Sequence, residues 1–273
     1  MPHVLPTVEE FYRAMGRMIV RFYGRTPGSR CVLTPHAILG CSGLGSVFLN
    51  CGVVFGDGPG DRDPAERRLR EFVALIRERD VGGYVCLSER IQQRLEPLAR
   101  ELGLQPLPPV PLMARTPPDD DGTGSPLIPV AGPEGEPEEG RVLGLVTSEE
   151  SLAQFLAVSE AAFDLPPGLY AQVVTPDLLL DPAVRIYLLR VDGRAVACVC
   201  MVEDDGLVGV TGMATLPELQ GRGIGGSLLA AVLREYASRV RAFYLTASEA
   251  GQVLYRRHGF SVVDSATAWV VLP

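Results

Sequence analysis

Lysine is missing from this chain: all 25 basic residues are arginine. A Walker phosphate loop is thereby excluded, because its lysine reaches the nucleotide's phosphates. A GC-rich genome explains the bias without function. A functional reading would use arginine's planar fork to hold phosphate or carboxylate. Cysteine is present six times, as Cys31, Cys41, Cys51, Cys86, Cys198 and Cys200, but never as a C-x-x-C pair. The three histidines, His3, His36 and His258, do not cluster with the cysteines. No metal site is therefore expected. Cys198 and Cys200 alternate within an apolar run, so both point to one face of a strand. Buried free thiols in a reducing cytosol are the default, which makes a cytoplasmic location the expectation. No apolar run is long enough to span a membrane, and no signal peptide is visible. The net charge of −8 repels polyanions, so nucleic acid is not an expected partner.

What the chain has is apolar content and rhythm. Of its 273 residues, 47% are hydrophobic and 21% charged, so a packed core is expected. The start reads as an amphipathic helix from Val8 to about Tyr23. Phe11, Met15, Met18, Ile19 and Phe22 form one stripe, and Arg13, Arg17 and Arg21 another. The clearest break is Arg115 to Arg141, dense in proline, glycine and acid, with one apolar island at Leu127-Ile128. Such a stretch buries too little apolar surface to offset its ordering entropy, so it reads as a linker. The expected organisation is thus 1–114, a linker over 115–141, and 142–273.

The second half alternates clearly. Val142 to Val146 reads as a strand. Ser148 caps a helix carrying Leu152, Phe155, Leu156 and Phe163, stopped by Pro166-Pro167. A shorter helix is expected over Leu169 to Val174. Strands over Arg185–Val191 and Ala195–Val202 are joined by Asp192-Gly193, and Asp205-Gly206 leads into a third strand, Leu207 to Thr215. A helix over Gly225–Ser238 buries Leu228, Leu229, Val232, Leu233 and Tyr236. Then come a strand, Phe243 to Thr246, a helix, Glu249 to Arg257, a capping Gly259, and two closing strands over 260–263 and 268–272. The first half echoes this order. Strands are expected at Cys31–Leu39, Val47–Phe55 and Tyr84–Leu87, with helices at Pro64–Arg79 and Glu89–Leu102, the latter capped by Gly103. The segment Leu98 to Leu104 aligns with Leu254 to Phe260, which points to internal duplication.

The chemistry concentrates between Leu207 and Tyr236. A strand runs through Leu216-Pro217-Glu218-Leu219 into Gln220-Gly221-Arg222-Gly223-Ile224-Gly225-Gly226 and then a helix. Glycines let the backbone turn tightly and approach a ligand. Backbone N–H groups converging at the positive end of a helix bind pyrophosphate without lysine. Arg222 adds a charge-assisted contact. A plain tight turn with close helix packing is the competing reading. A dinucleotide fold would place G-x-G-x-x-G after the first strand. Here the pattern follows the third or fourth strand and a hairpin, which argues against it.

The segment resembles the GNAT superfamily of acetyltransferases. Gln220-Gly221-Arg222-Gly223-Ile224-Gly225 satisfies that family's [QR]-x-x-G-x-[GA] signature. Met213-Ala214-Thr215-Leu216-Pro217 resembles its fourth strand, and Val253 to Phe260 its L-Y-x-x-x-G-F segment. The resemblance implies an α/β fold of two GNAT-like domains, each a mostly antiparallel mixed sheet flanked by helices. It implies acetyl-CoA as co-substrate. Backbone groups of Met213, Ala214 and Thr215 would bind the pantetheine arm and polarise the thioester carbonyl. Amides from Gly221 to Gly226, Ile224 included, would hold the pyrophosphate. Ser248 stands where asparagine often contacts the cofactor. Tyr255 would be the general acid that protonates the leaving thiolate.

Three departures qualify that expectation. Gly209 stands where many members carry a glutamate base, and Glu203, Asp204 and Glu249 read as solvated turn or cap residues. The first half has no signature before its helix, only Gly56 to Asp63, whose acids repel phosphate. It also has Ala99 where the second half has Tyr255. A degenerate, non-catalytic first domain is therefore expected. The leading reading is acetyl transfer from acetyl-CoA to a primary amine, on a small molecule or a peptide, with neither nucleic acid nor membrane as partner and a homodimer open. The alternative is a non-catalytic acyl-CoA sensor or scaffold, and a nucleotide-binding protein is third.

Overall fold

A computed structural model describes residues 5–57, 64–117, 130–131 and 140–273. Most of the expected linker, with Leu127 and Ile128, lies outside the described residues, as do Gly58 to Asp63. The chain divides into two compact units. The first is built on Pro6–Ala114, Thr246–Val253 and Ser261–Pro273, and the second on Arg115–Leu245 and Leu254–Phe260.

In the first unit the strand order is β1 (Arg30–Leu33), β2 (Ala37–Cys41), β3 (Asn50–Val54), β4 (Gly83–Ser88), β12 (Ser261–Val271), β5 (Gln105–Arg115). Only β3 and β4 pair in parallel among the described ladders of this unit. Helix α1 (Val8–Tyr23) forms over the expected span. A capping box explains its start: Thr7 accepts from the Glu10 N–H while the Glu10 carboxylate accepts from the Thr7 N–H. Helices α2 (Pro64–Glu78) and α3 (Glu89–Glu101) bury Leu69, Phe72, Ile76 and Leu95 against Trp269 of β12.

Several elements differ from the sequence reading, among them the strand expected over Val47–Phe55, which opens as a 3-10 turn at Val47–Leu49. The strand expected over Cys31–Leu39 is a hairpin, because the Thr34 hydroxyl accepts from the Ala37 N–H at 2.9 Å and turns the chain. Strand β5 was not expected, since Pro106, Pro108, Pro109 and Pro111 remove backbone donors. Its ladder with β12 shifts register twice, between Val262 and Asp264 and between Thr267 and Trp269. The two closing strands expected for the second half are one strand, β12, and it lies between β4 and β5 of the first unit.

The second unit orders its strands β11 (Ala242–Thr246), β10 (Leu207–Thr215), β9 (Arg194–Asp204), β8 (Val184–Val191), β7 (Arg141–Leu145), β6 (Val130–Ala131). Both expected hairpins close through left-handed residues, with φ of 49° and 78° at Asp192-Gly193 and 49° and 72° at Asp205-Gly206. Helix α4 (Glu149–Phe163) is capped by Ser148 as expected, although Phe163 is exposed. Two 3-10 turns, Tyr170–Gln172 and Pro176–Leu180, replace the short helix expected at Leu169. Helix α5 (Ile224–Tyr236) buries the five residues its periodicity marks, and α6 (Glu249–Arg257) follows β11. The sheet has a helix on each face. Cys198 of β9 meets Ser159 of α4 at 3.3 Å, whereas Tyr187 of β8 donates to Glu235 of α5 at 2.6 Å. No helix among the described residues is long and apolar enough to cross a membrane.

Candidate active site

Strand β10 is bent by one extra residue. Its register with β9 runs evenly from Leu207↔Asp204 to Thr211↔Cys200, then resumes at Ala214↔Cys198. Gly212 sits in this bulge with φ +57°, a conformation that disfavours a side chain. The Cys198 thiol donates to the Gly212 carbonyl at 3.7 Å. On its other side, β10 pairs in parallel with β11 only over Leu207–Gly209 among the described residues. From Val210 onward the two strands part. That edge carries Met213, Ala214 and Thr215, and backbone groups facing away from β9 there are available to a ligand.

The cradle follows at once. After the 3-10 turn Pro217–Leu219, the Gln220 side-chain amide donates to the Thr215 carbonyl at 3.1 Å. The signature glutamine thus latches the loop to the end of β10. Gly221 and Gly223 are left-handed, with φ of +74° and +78°, and a Cβ at either would meet nothing within 4 Å. Gly225 and Gly226 face inward instead. A Cβ on Gly225 would stand 3.3 Å from Thr215 Oγ1, and one on Gly226 3.4 Å from His258 Cε1. Two glycines therefore leave space, and two allow close packing. The Ile224 side chain is core, so only its backbone can serve a ligand. The first N–H groups of α5 have no intrahelical acceptor and sit at the positive end of the helix dipole. Arginines gather here. Arg222 is exposed, Arg194 pairs with Glu218 at 2.7 Å, and Arg141 donates to Ser227 Oγ at 3.0 Å. Arg194 helps hold the Glu218 carboxyl below its ordinary pKa, after a backbone hydrogen bond at Glu218 itself.

Tyr255 lies on α6, only 9% exposed, with its ring edge-on to Phe260 at 5.8 Å. Burial pushes its hydroxyl up to about 12, so it stays protonated. No hydrogen bond of that hydroxyl is recorded among the described residues. Leu254, the preceding residue, packs at Gly225 and Gly226. His258 spans the two helices, with Nδ1 2.9 Å from the Leu254 carbonyl oxygen and Nε2 3.1 Å from that of Gly226.

Residues 182–262 match the family model described as acetyltransferase (GNAT) domain. Those residues carry a GNAT acetyltransferase domain. Its activity class is acyl transfer. The matched stretch contains the bulge, the cradle and Tyr255. Among solved structures, a GCN5-related N-acetyltransferase from Kribbella flavida is similar over 98% of this chain and 96% of its own, at 20% identity and TM-score 0.66. One from Sphaerobacter thermophilus covers 99% and 98% at 19% identity and TM-score 0.55. A tandem GNAT protein from the clavulanic acid biosynthesis pathway covers 97% and 96% at 14% identity and TM-score 0.58. At these identities the likeness is one of fold. No curated protein matches the chain.

Ser248 directly precedes α6, and its hydroxyl accepts from the Gly251 N–H at 3.2 Å, capping that helix. Glu203 pairs with Val208, five residues along β9 from Cys198 and so about 16 Å from the bulge. Asp204 lies beyond it at the hairpin, and Glu249 is the first residue of α6. Gly209 is the last β10 residue paired to β11. Among the described residues no group of three or more His, Cys, Asp or Glu is placed to hold a metal. Sequence reasoning missed the bulge, Arg141 and His258. Only Gly212, a glycine inside an apolar strand, carried a signal for the bulge.

Proposed function

We propose that this protein moves an acetyl group from acetyl-CoA to a primary amine at one site in the second unit. The observation that carries the reading is the parting of β10 from β11 after Gly209, followed by the Gly212 bulge and an open glycine cradle. The residues suit the group. Gly221 and Gly223 leave room, the α5 terminus supplies N–H groups, and Arg222 and Arg141 supply positive charge. Met213, Ala214 and Thr215 would hold the pantetheine arm and polarise the thioester carbonyl through their backbone. Bound acetyl-CoA supplies an activated acetyl group. Tyr255 holds the proton that passes to the CoA sulfur as the C–S bond breaks and the C–N bond forms. The amine's surplus proton leaves to solvent, since Gly209 offers no carboxylate, and solvent restores the proton of Tyr255. Catalysis is mainly positioning and polarisation.

In this reading the second unit carries transfer and 1–114 belongs to a degenerate copy. The acceptor is a small-molecule or peptide amine, and the cytoplasm is the place of action. The missing carboxylate at Gly209 favours a second reading, an acyl-CoA sensor without transfer. Thiol release from acetyl-CoA against a panel of primary amines separates the two. Amine-dependent release supports transfer, and tight acetyl-CoA binding without it establishes the sensor.

A further inference from the structure

The bulge also has an α4 side, and an aromatic hydroxyl waits there. A Cβ built on Gly212 would stand 3.3 Å from Tyr170 Oη and 3.6 Å from Phe155 Cζ. Tyr170 is far from Gly212 in sequence and is held in place by several contacts. Its N–H donates to Glu160 Oε1 at 3.2 Å, at the end of α4. Its carbonyl accepts from Val173 at 3.1 Å and Val174 at 2.9 Å. Its ring lies 6.0 Å from that of Phe155. The placement is thus fixed from the backbone, from α4 and from the ring face.

The hydroxyl itself has no recorded hydrogen bond among the described residues. The other polar groups at the bulge serve each other, since the Cys198 thiol reaches both the Gly212 carbonyl and Ser159. Tyr170 Oη is therefore open to a partner from outside the chain.

We propose that the Tyr170 hydroxyl binds the amine nitrogen of the acceptor beside the Gly212 bulge. The inference rests on the transfer reading above. The phenol oxygen accepts one N–H of the neutral amine, which turns the nitrogen lone pair toward the acyl carbon. Burial, with Cys200 and Cys198 nearby, keeps the phenol pKa well above its ordinary value. The oxygen therefore keeps its proton, and Tyr170 positions the amine without acting as its base. Gly212 is doubly constrained, by its left-handed backbone and by the space this hydroxyl needs.

The test is Tyr170→Phe, which keeps the ring and its packing. Phenethylamine, spermidine and glycinamide are assayed by thiol release, and the best wild-type acceptor is used. The expected result is a drop of about tenfold in kcat/KM for the amine, with KM for acetyl-CoA and the thermal midpoint unchanged. Unchanged kcat/KM for the amine overturns the assignment. An equal rise in KM for acetyl-CoA also overturns it, since the role would then be structural or toward the cofactor. If the wild-type protein binds acetyl-CoA and turns over none of the amines, the transfer reading fails and takes this assignment with it.

Discussion

Each unit lays two parallel strands around a helix, β3–α2–β4 in the first and β10–α5–β11 in the second. In the first, parallel pairing runs from Cys51↔Tyr84 to Val54↔Leu87 and reaches the last residue of β3. In the second it ends at Gly209, with Val210 to Thr215 still to come. The neighbouring antiparallel ladders explain why. β2 and β3 keep one register throughout, from Cys41↔Asn50 to Ala37↔Val54. β9 and β10 step by one residue at Gly212. A single inserted residue adds local twist and turns the strand away from its partner. The helices that follow repeat the contrast. Gly103 and Gly259 end α3 and α6 with matching caps, the Leu104 N–H reaching the Ala99 carbonyl at 3.0 Å and the Phe260 N–H that of Tyr255 at 3.1 Å. The capped helices are alike, yet one carries a fully buried Ala99 and the other a phenol.

That contrast breaks most readily at the phenol. Tyr255→Phe is expected to lower kcat about a hundredfold and to leave acetyl-CoA affinity unchanged; steady-state kinetics with calorimetry check this, and unchanged turnover removes Tyr255 as the acid. The next effect compares two left-handed glycines. Gly223→Ala and Gly103→Ala each force a side chain into φ near +78° or +76°, at about 1–2 kcal/mol of strain. Both should lower the thermal midpoint, but only Gly223→Ala should weaken acetyl-CoA binding, by about tenfold.

The pH dependence sharpens the account further. The acid form of Tyr255 is intact below its folded pKa of about 12 and is lost only as pH rises through that value. Turnover should therefore show no alkaline decline owed to Tyr255 up to about pH 10. A falling limb near neutrality that Tyr255→Phe abolishes would contradict this. The smallest effect is a contrast that should not exist. Burial raises the pKa of all six thiols. Iodoacetamide should therefore label the native protein slowly in both units. Rapid labelling of Cys198 would reveal a bulge more open than described.

Much of the second unit was legible because its signals are local. Asp-Gly turns, the Ser148 cap and the apolar stripe of α5 act within a few residues, and the cradle is a contiguous string. What escaped depends on distant partners. Nothing near Ser261 to Val271 says that this strand lies between β4 and β5, because Trp269 finds its burial against α3 and its indole N–H finds Gln92 at 3.3 Å. The proline-rich β5 hides a strand behind residues that usually end one. Tyr170 looked like part of a short helix, and only the fold brings its hydroxyl to Gly212. Of the bulge, the sequence shows one glycine, and the register shift needs the facing strand to be seen.

The central claim is that only the strand pair opened by the bulge takes the co-substrate. Titration calorimetry of the whole chain with acetyl-CoA tests this directly. The account predicts one acetyl-CoA per chain, with binding weakened by Gly223→Ala. Two sites per chain, or one site indifferent to Gly223→Ala, would contradict it.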